Sequence, residues 1–268
     1  MRNYVRCMAT ASVNGIDINY RDTGGDGPVV LFSHGFMMNH TMFDEQVAAL
    51  SSDYRCIAWD ERGFGGTRAT GPFTYWDSAN DAIALLDHLG IESAVFAGMS
   101  QGGFLSLRAA LTAPERVRAL VLIDSTADLD DPATIEGYRG MLHVFEHSSA
   151  DKQSEVFAIT AGLILGDEAL GSEWIPIWEA LDRQQLIWAG GALISRDDIM
   201  DRLHEITCPV FTVHGTDDVA ITIDRARSLA ATLSDHRGFL EVSGAAHAPN
   251  MTHPNEVNAA IREFLESL

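Results

Sequence analysis

Positive charge is scarce in this chain. Its 268 residues carry 18 lysines and arginines against 38 aspartates and glutamates, a formal net charge of −20. Such a surface repels phosphate backbones and anionic lipid, so neither a nucleic-acid partner nor a membrane is expected, and strongly anionic substrates are disfavoured. Cysteine is scarce as well. Cys7, Cys56 and Cys208 are odd in number and widely spaced, which argues against a disulfide framework and for reduced thiols in a cytoplasmic protein. No apolar run approaches the length of a membrane span. The first ten residues hold Arg2 and Arg6 without a continuous apolar segment, so no signal peptide is expected. Internal repeats and low-complexity linkers are missing too. What remains is 46% hydrophobic, enough to bury a sizeable core in one domain or in a domain with an insertion.

The pattern that is present alternates strands and helices. Val13 to Arg21 alternates apolar and polar residues as an edge strand does. Val29 to Ser33, Tyr54 to Trp59, Ala94 to Ala97, Val117 to Ile123, Val210 to Val213 and Phe239 to Val242 are short apolar runs of the kind that fill buried parallel strands. Between them lie stretches of helical period. One opens at Thr41-Met42-Phe43-Asp44, which has the form of a capping box. Others are Tyr75 to Leu89, the segment after Ser100, and Ala226 to Leu233; the last begins at Pro254. The alternation breaks after Asp124, and residues 125–205 read as helices and loops without strands. The expected architecture is α/β: a mostly parallel central sheet flanked by helices, with a core of residues 1–124 and 206–268 and a helical cap of residues 125–205. Ligands of such sheets bind beyond the carboxyl ends of the strands.

The whole chain is arranged around Gly98-Met99-Ser100-Gln101-Gly102. This Gly-x-Ser-x-Gly stands where a strand gives way to a helix, and small neighbours let the backbone make the sharp turn that lifts the Ser100 hydroxyl above the helix N-terminus. A serine needs a base to take its proton, and His247 is offered just past the last strand. A histidine base needs a carboxylate to fix its tautomer, and Asp217 and Asp218 are both offered after the preceding strand. The order serine, acid, histidine is the one this type of turn requires.

Five pieces together carry a resemblance: His34-Gly35-Phe36, Asp60-Glu61-Arg62-Gly63-Phe64-Gly65, Gly98 to Gly103, Gly215-Thr216-Asp217-Asp218 and Gly244-Ala245-Ala246-His247. From about Val13 to its end the chain resembles the α/β-hydrolase superfamily, in the branch of arylesterases, cofactor-free haloperoxidases and enol-lactonases. The resemblance implies Ser100 as nucleophile, His247 as base and Asp218, three residues after Gly215, as the acid. It implies an oxyanion hole made by the backbone N–H groups of Phe36 and Gln101. His34 would then be structural. A proline after the oxyanion residue favours perhydrolysis in the haloperoxidases; Met37 stands there here, which argues for plain hydrolysis. The Asp-nucleophile branches are disfavoured, since Ser100 holds that position.

Met37, Met99, Trp178 and Trp188 are the expected substrate-pocket residues, Met37 and Met99 by nearness to the motifs and the tryptophans as parts of the cap, with Phe36, Met38 and Trp174 as further candidates. His143-Val144-Phe145-Glu146-His147 fits an inverted zinc-protease signature, but it falls in the insertion without a third ligand and reads as a polar helix face. No metal or cofactor is expected. The expected activity is hydrolysis of carboxylic esters of small to medium apolar substrates through an acyl-enzyme. Lactone opening, of acyl-homoserine lactones or enol-lactones, and carbon–carbon bond hydrolysis are alternatives on the same residues. A small-molecule receptor that keeps the constellation is the alternative outside catalysis. The partner expected is a small ester or lactone, and a homodimer is left open.

Overall fold

Side chains of successive strand residues point to opposite faces of a sheet, so each apolar run in this chain must find cover on both sides. The computed structural model describes residues 8–268 and shows how it does. Eight strands form one sheet: β1 (Met8–Val13), β2 (Ile16–Asp22), β3 (Val29–Ser33), β4 (Arg55–Trp59), β5 (Ala94–Met99), β6 (Val117–Ile123), β7 (Val210–Gly215) and β8 (His236–Val242). Their spatial order is β1-β2-β4-β3-β5-β6-β7-β8. The β1–β2 and β2–β4 pairs are antiparallel and every other pair is parallel.

Two cores follow from the alternation. Val30, Phe32, Val95, Ala97, Val121 and Val213 face one side, where α1 (Asp44–Leu50) and α10 (Pro254–Glu266) contribute Val47, Leu50, Val257, Ile261 and Phe264. Leu31, Ile57, Phe96, Leu120 and Leu122 face the other, where α2 (Tyr75–His88), α3 (Gln101–Thr112) and α8 (Ile223–Thr232) contribute Leu85, Leu86, Leu105, Leu107 and Leu229. Each fully buried aliphatic side chain of this kind is worth about 1.5–3 kcal/mol of transfer free energy. A short helix, α9 (Pro249–Thr252), leads into α10.

Between β6 and β7 the chain forms four helices and no strand: α4 (Pro132–His147), α5 (Ala150–Ile164), α6 (Glu168–Glu179) and α7 (Arg183–Ile194). Aspartates start three of them. The carboxylates of Asp131, Asp167 and Asp182 accept from the backbone N–H groups of Ala133, Leu170 and Gln184 at 2.8, 2.9 and 2.8 Å, satisfying donors that a helix leaves open and placing negative charge at its positive end. Part of the acidity of the chain is therefore structural. Gln185 of α7 ties this layer to the sheet layer, accepting from Ala69 N–H at 2.7 Å and donating to the Ala69 carbonyl at 3.2 Å.

Several boundaries differ from the sequence expectation. The edge strand from Val13 to Arg21 is a hairpin, β1 and β2 joined at Asn14-Gly15, both with positive φ (50° and 76°) as a type I′ turn demands. Thr41 is not a helix cap. The Asn39 side chain accepts from Thr41 N–H at 2.8 Å and starts a 3-10 turn, His40–Phe43, ahead of α1. The box that does form is Thr74 with Asp77, at the start of α2. Cys56 and Cys208 are free thiols, and burial pushes them up to about 12 and about 11; Cys7 lies outside the described residues.

Candidate active site

Four non-glycine residues have positive φ among those described, and three of them stand just past the carboxyl ends of adjacent strands: Met37 (63°) after β3, Ser100 (50°) after β5 and Asp124 (43°) after β6. Such conformations cost about 1–3 kcal/mol each and concentrate where function requires them. Ser100 is held in its turn by its own backbone. Its N–H donates to the Ile123 carbonyl at 2.8 Å, and its carbonyl accepts from Gly103 N–H at 2.9 Å and from the Ser125 hydroxyl at 2.9 Å. Gly98 and Gly102 are steric necessities. A Cβ on Gly98 would run into the Gly102 carbonyl, and a Cβ on Gly102 into the Ser33 carbonyl. That second contact presses the β5–α3 turn onto the end of β3 and so brings Gln101 close to His34-Gly35-Phe36. Neither the Phe36 nor the Gln101 backbone N–H has a hydrogen-bond partner among the described residues.

Acid and base meet across two turns. His247 Nδ1 lies 2.7 Å from Asp218 Oδ2, both groups buried. The turns are stitched together by Asp217 N–H donating to the Ala245 carbonyl at 2.9 Å and by Gly244 N–H donating to the Thr216 hydroxyl at 2.9 Å. Residue 215 is glycine because a Cβ there would run into the Ala245 and Ala246 carbonyls. Asp218 Oδ1 accepts from the N–H groups of Ala220 (2.8 Å) and Ile221 (3.1 Å), which aims the carboxylate. Asp217 is exposed and accepts from the Thr216 hydroxyl. Ser100 and His247 face the same cavity.

Two buried residues extend this group beyond what the sequence reading proposed. Asp124 lies beside Asp218, and its carboxylate accepts from Gly215 N–H at 3.1 Å. Burial, reinforced by the charge of Asp218, raises Asp124 well above the carboxylate range, so it holds a proton. Burial acts on Asp218 in the same direction, but His247 and a hydrogen bond from His214 outweigh it and hold Asp218 ionised, far below its usual range. His214 Nε2 is 2.7 Å from the Ile221 carbonyl and 3.2 Å from Asp218 Oδ2, so this nitrogen carries the proton. Asp124 was visible as the residue ending a buried strand, but only the sheet order sets it next to Asp218. Asp124, Asp218 and His247 are also the one trio of potential metal-ligating side chains gathered within 4.8 Å among the described residues. His143 and His147 sit together on the exposed side of α4, with ring centroids 4.6 Å apart.

The head motifs divide into scaffolding roles. His34 Nε2 accepts from Glu61 N–H at 3.0 Å while Nδ1 donates to the Gly35 carbonyl at 2.7 Å. Burial lowers its pKa to about 4 and keeps the ring neutral. His34 is thus the structural residue of its turn. Asp60 binds the N–H groups of His40 and Gly66, each at 2.8 Å. Glu61 accepts from Gln101 Nε2 at 2.7 Å, and Tyr75 Oη donates to Gln101 Oε1 at 3.4 Å, so the Gln101 side chain is anchored at both ends. Burial raises Glu61 well above its usual range.

The cavity in front of Ser100 has a volume of about 490 Å³, within the range of small-molecule sites. Phe36 and Met37 line it, as the sequence leads one to expect of both. The other three expected pocket residues do not. Met99 is buried behind the turn, with its sulfur against Gly35. Trp178 is buried inside the helical layer, 6.3 Å from the Phe157 ring, and Trp188 packs partly buried against the same core. Large flat rings fill the interior between helices, where they exclude most water, and the wall is left to residues one turn apart on α4 and α5: Tyr138, Met141, Val144, Val156, Ile159 and Leu163. Their helical spacing was the readable signal for this face; which helix it turned toward was not.

Comparison with known proteins agrees with this architecture. A family model described as alpha/beta hydrolase fold matches residues 28–150. The 3-oxoadipate enol-lactonase 2 of Acinetobacter baylyi is 25% identical over 263 residues, covering 96% of each chain. The pimeloyl-[acyl-carrier protein] methyl ester esterase of Aliivibrio salmonicida is 25% identical over 257 residues, 92% of this chain and 95% of that one. The structure of a thermophilic esterase from Thermogutta terrifontis superposes with a TM-score of 0.85 at 26% identity, covering 97% of both chains. The fold is that of the α/β hydrolases. The relatives that the chain resembles are an enol-lactonase and ester hydrolases.

Proposed function

We propose that this protein is a serine hydrolase that cleaves carboxylic esters of small to medium apolar substrates through an acyl-enzyme. The observation that carries this reading is the buried 2.7 Å pair of His247 Nδ1 and Asp218, placed on the cavity that Ser100 also faces. Asp218 keeps the proton of His247 on Nδ1, which leaves Nε2 as the base. Ser100 Oγ attacks the ester carbonyl as His247 Nε2 takes its proton. The oxyanion that forms is met by the free N–H groups of Phe36 and Gln101. Collapse expels the alcohol, which receives the proton from His247. Water, deprotonated by the same imidazole, then releases the acid and restores Ser100. Residues 125–205 serve as the cap that closes the acyl side of the site.

Lactone opening is the second reading, favoured by the likeness to an enol-lactonase over 96% of each chain; it needs no group beyond those just named. Hydrolysis of short p-nitrophenyl esters beside aliphatic and acyl-homoserine lactones, with Ser100→Ala as control, separates the two. Ester turnover in the wild type that falls by about 10³-fold or more in the variant is the expected result. Lactone opening with little ester turnover would assign the second reading, and ester turnover unchanged in the variant would remove Ser100 from the chemistry.

A further inference from the structure

The cavity wall carries almost no polarity that a substrate could use. No lysine or arginine lines it among the described residues, and its only carboxylate is Asp130. Both oxygens of Asp130 are already engaged, by Arg225 Nη1 at 2.7 Å and Arg196 Nη1 at 2.8 Å. The Thr134 hydroxyl donates to Asp131 at 2.7 Å and the Thr160 hydroxyl to the Val156 carbonyl at 2.8 Å. Tyr138 is a neutral phenol, raised by burial to about 12. A charge entering this space would lose its hydration and find no counter-ion.

The apolar surface also does not stop at the mouth. Five large apolar side chains are exposed among the described residues, and three of them belong to this cavity: Ile159 (64% exposed), Leu163 (49%) and Val219 (64%). Ile159 and Leu163 lie one turn apart on α5, and Val219 follows Asp218 directly. Exposed apolar groups that continue a binding cavity mark where a ligand leaves it.

We propose that the site takes an uncharged acyl chain that runs between α4 and α5 and emerges across Ile159, Leu163 and Val219, and that it rejects acyl chains bearing a carboxylate within the cavity. This rests on the hydrolase reading and specifies its substrate. It separates this protein from any relative whose substrate keeps a free carboxylate near the scissile bond.

The test compares p-nitrophenyl hexanoate with the p-nitrophenyl monoester of adipate, and follows kcat/KM along the neutral series from butyrate to dodecanoate in the wild type and in the double variant Ile159→Ser, Leu163→Ser. The expected result is a preference of about 10²-fold for hexanoate over the adipate monoester. The double variant should lose about ten-fold on dodecanoate and less than about two-fold on butyrate. Adipate monoester cleaved within about ten-fold of hexanoate would overturn the neutral cavity, and equal losses on both chain lengths would overturn the rim. Binding of ketones to Ser100→Ala protein by calorimetry keeps the inference separate from the hydrolase reading. If no ester is turned over through Ser100, that reading falls. Heptan-2-one binding without 6-oxoheptanoate, and tridecan-2-one binding tighter than heptan-2-one until the rim is substituted, would still support the site described here. Equal binding of ketone and keto acid, or no effect of the rim, would overturn it.

Discussion

At the scale of single residues, the carboxylate beside the acid of the pair sets a pH dependence. Asp124 keeps its proton in the fold because it is buried next to ionised Asp218, whereas an unfolded aspartate releases it near a pKa of about 3.9. Its contribution to stability is therefore full below that value and is lost as pH rises toward the folded pKa, because the unfolded chain then gains by ionising. Asp124→Asn retains an acceptor for Gly215 N–H and a donor for Asp218 but cannot ionise. Thermal unfolding across pH should show the variant and the wild type converging near pH ~4 and the variant pulling ahead by pH ~8. The reverse order, with the wild type more stable at high pH, would mean that Asp124 is ionised in the fold. Activity should stay within about ten-fold in Asp124→Asn, since the hydrogen bond to Asp218 survives.

Among elements, the helical layer divides its residues between filling itself and lining the site. Trp178 and Phe157 do the first, with Phe145 stacked on Phe157 at 5.0 Å. Met141, Val144, Ile159 and Leu163 do the second. Truncating Trp178 to alanine should thus cost about 3–5 kcal/mol of stability by leaving a cavity while the order of preference along an acyl-chain series stays as in the wild type. Unfolding curves and that series measure both halves. A shifted chain-length preference with unaltered stability would return Trp178 to the pocket wall, where the sequence reading put it. The two anchors of this layer differ in kind. Gln185 uses neutral hydrogen bonds to Ala69, whereas Asp130 bridges Arg196 and Arg225 and lines the cavity with charge that is already compensated.

For the whole molecule the governing quantity is the net charge of −20. Repulsion of that size opposes the compact state and is screened by salt over a Debye length of about 10 Å at 0.1 M. The midpoint of thermal unfolding should rise by about 2–4 °C between ~10 mM and ~300 mM NaCl, the equivalent of about 1 kcal/mol in a chain of this size. A fall would mean that the surface ion pairs, such as Arg227 with Glu241 at 2.9 Å, outweigh the repulsion. The same charge agrees with a neutral substrate: an anion would be repelled by the surface and left unpaired in the cavity.

Much of this was legible in the chain because it is local or periodic. Strands β3, β5, β6 and β7 are apolar runs that only a sheet covered on both faces can bury, and Gly98-Met99-Ser100-Gln101-Gly102 can make its turn only with small residues where the backbones touch. That Ser100, the Asp217-Asp218 pair and His247 stand past the ends of β5, β7 and β8 followed from the same alternation, and the resemblance singled out Asp218. Three matters were decided by tertiary structure alone. Asp124 joins Asp218 and His214 because β6 and β7 are neighbours in the sheet, and no spacing in the sequence encodes which strands are adjacent. Met99, Trp178 and Trp188 turn away from the cavity because a helix or turn offers several faces to an apolar interior, and packing selects one. The boundary between core wall and exposed rim at Ile159, Leu163 and Val219 depends on how four helices close over the sheet, a sum of many weak contacts that no single residue carries.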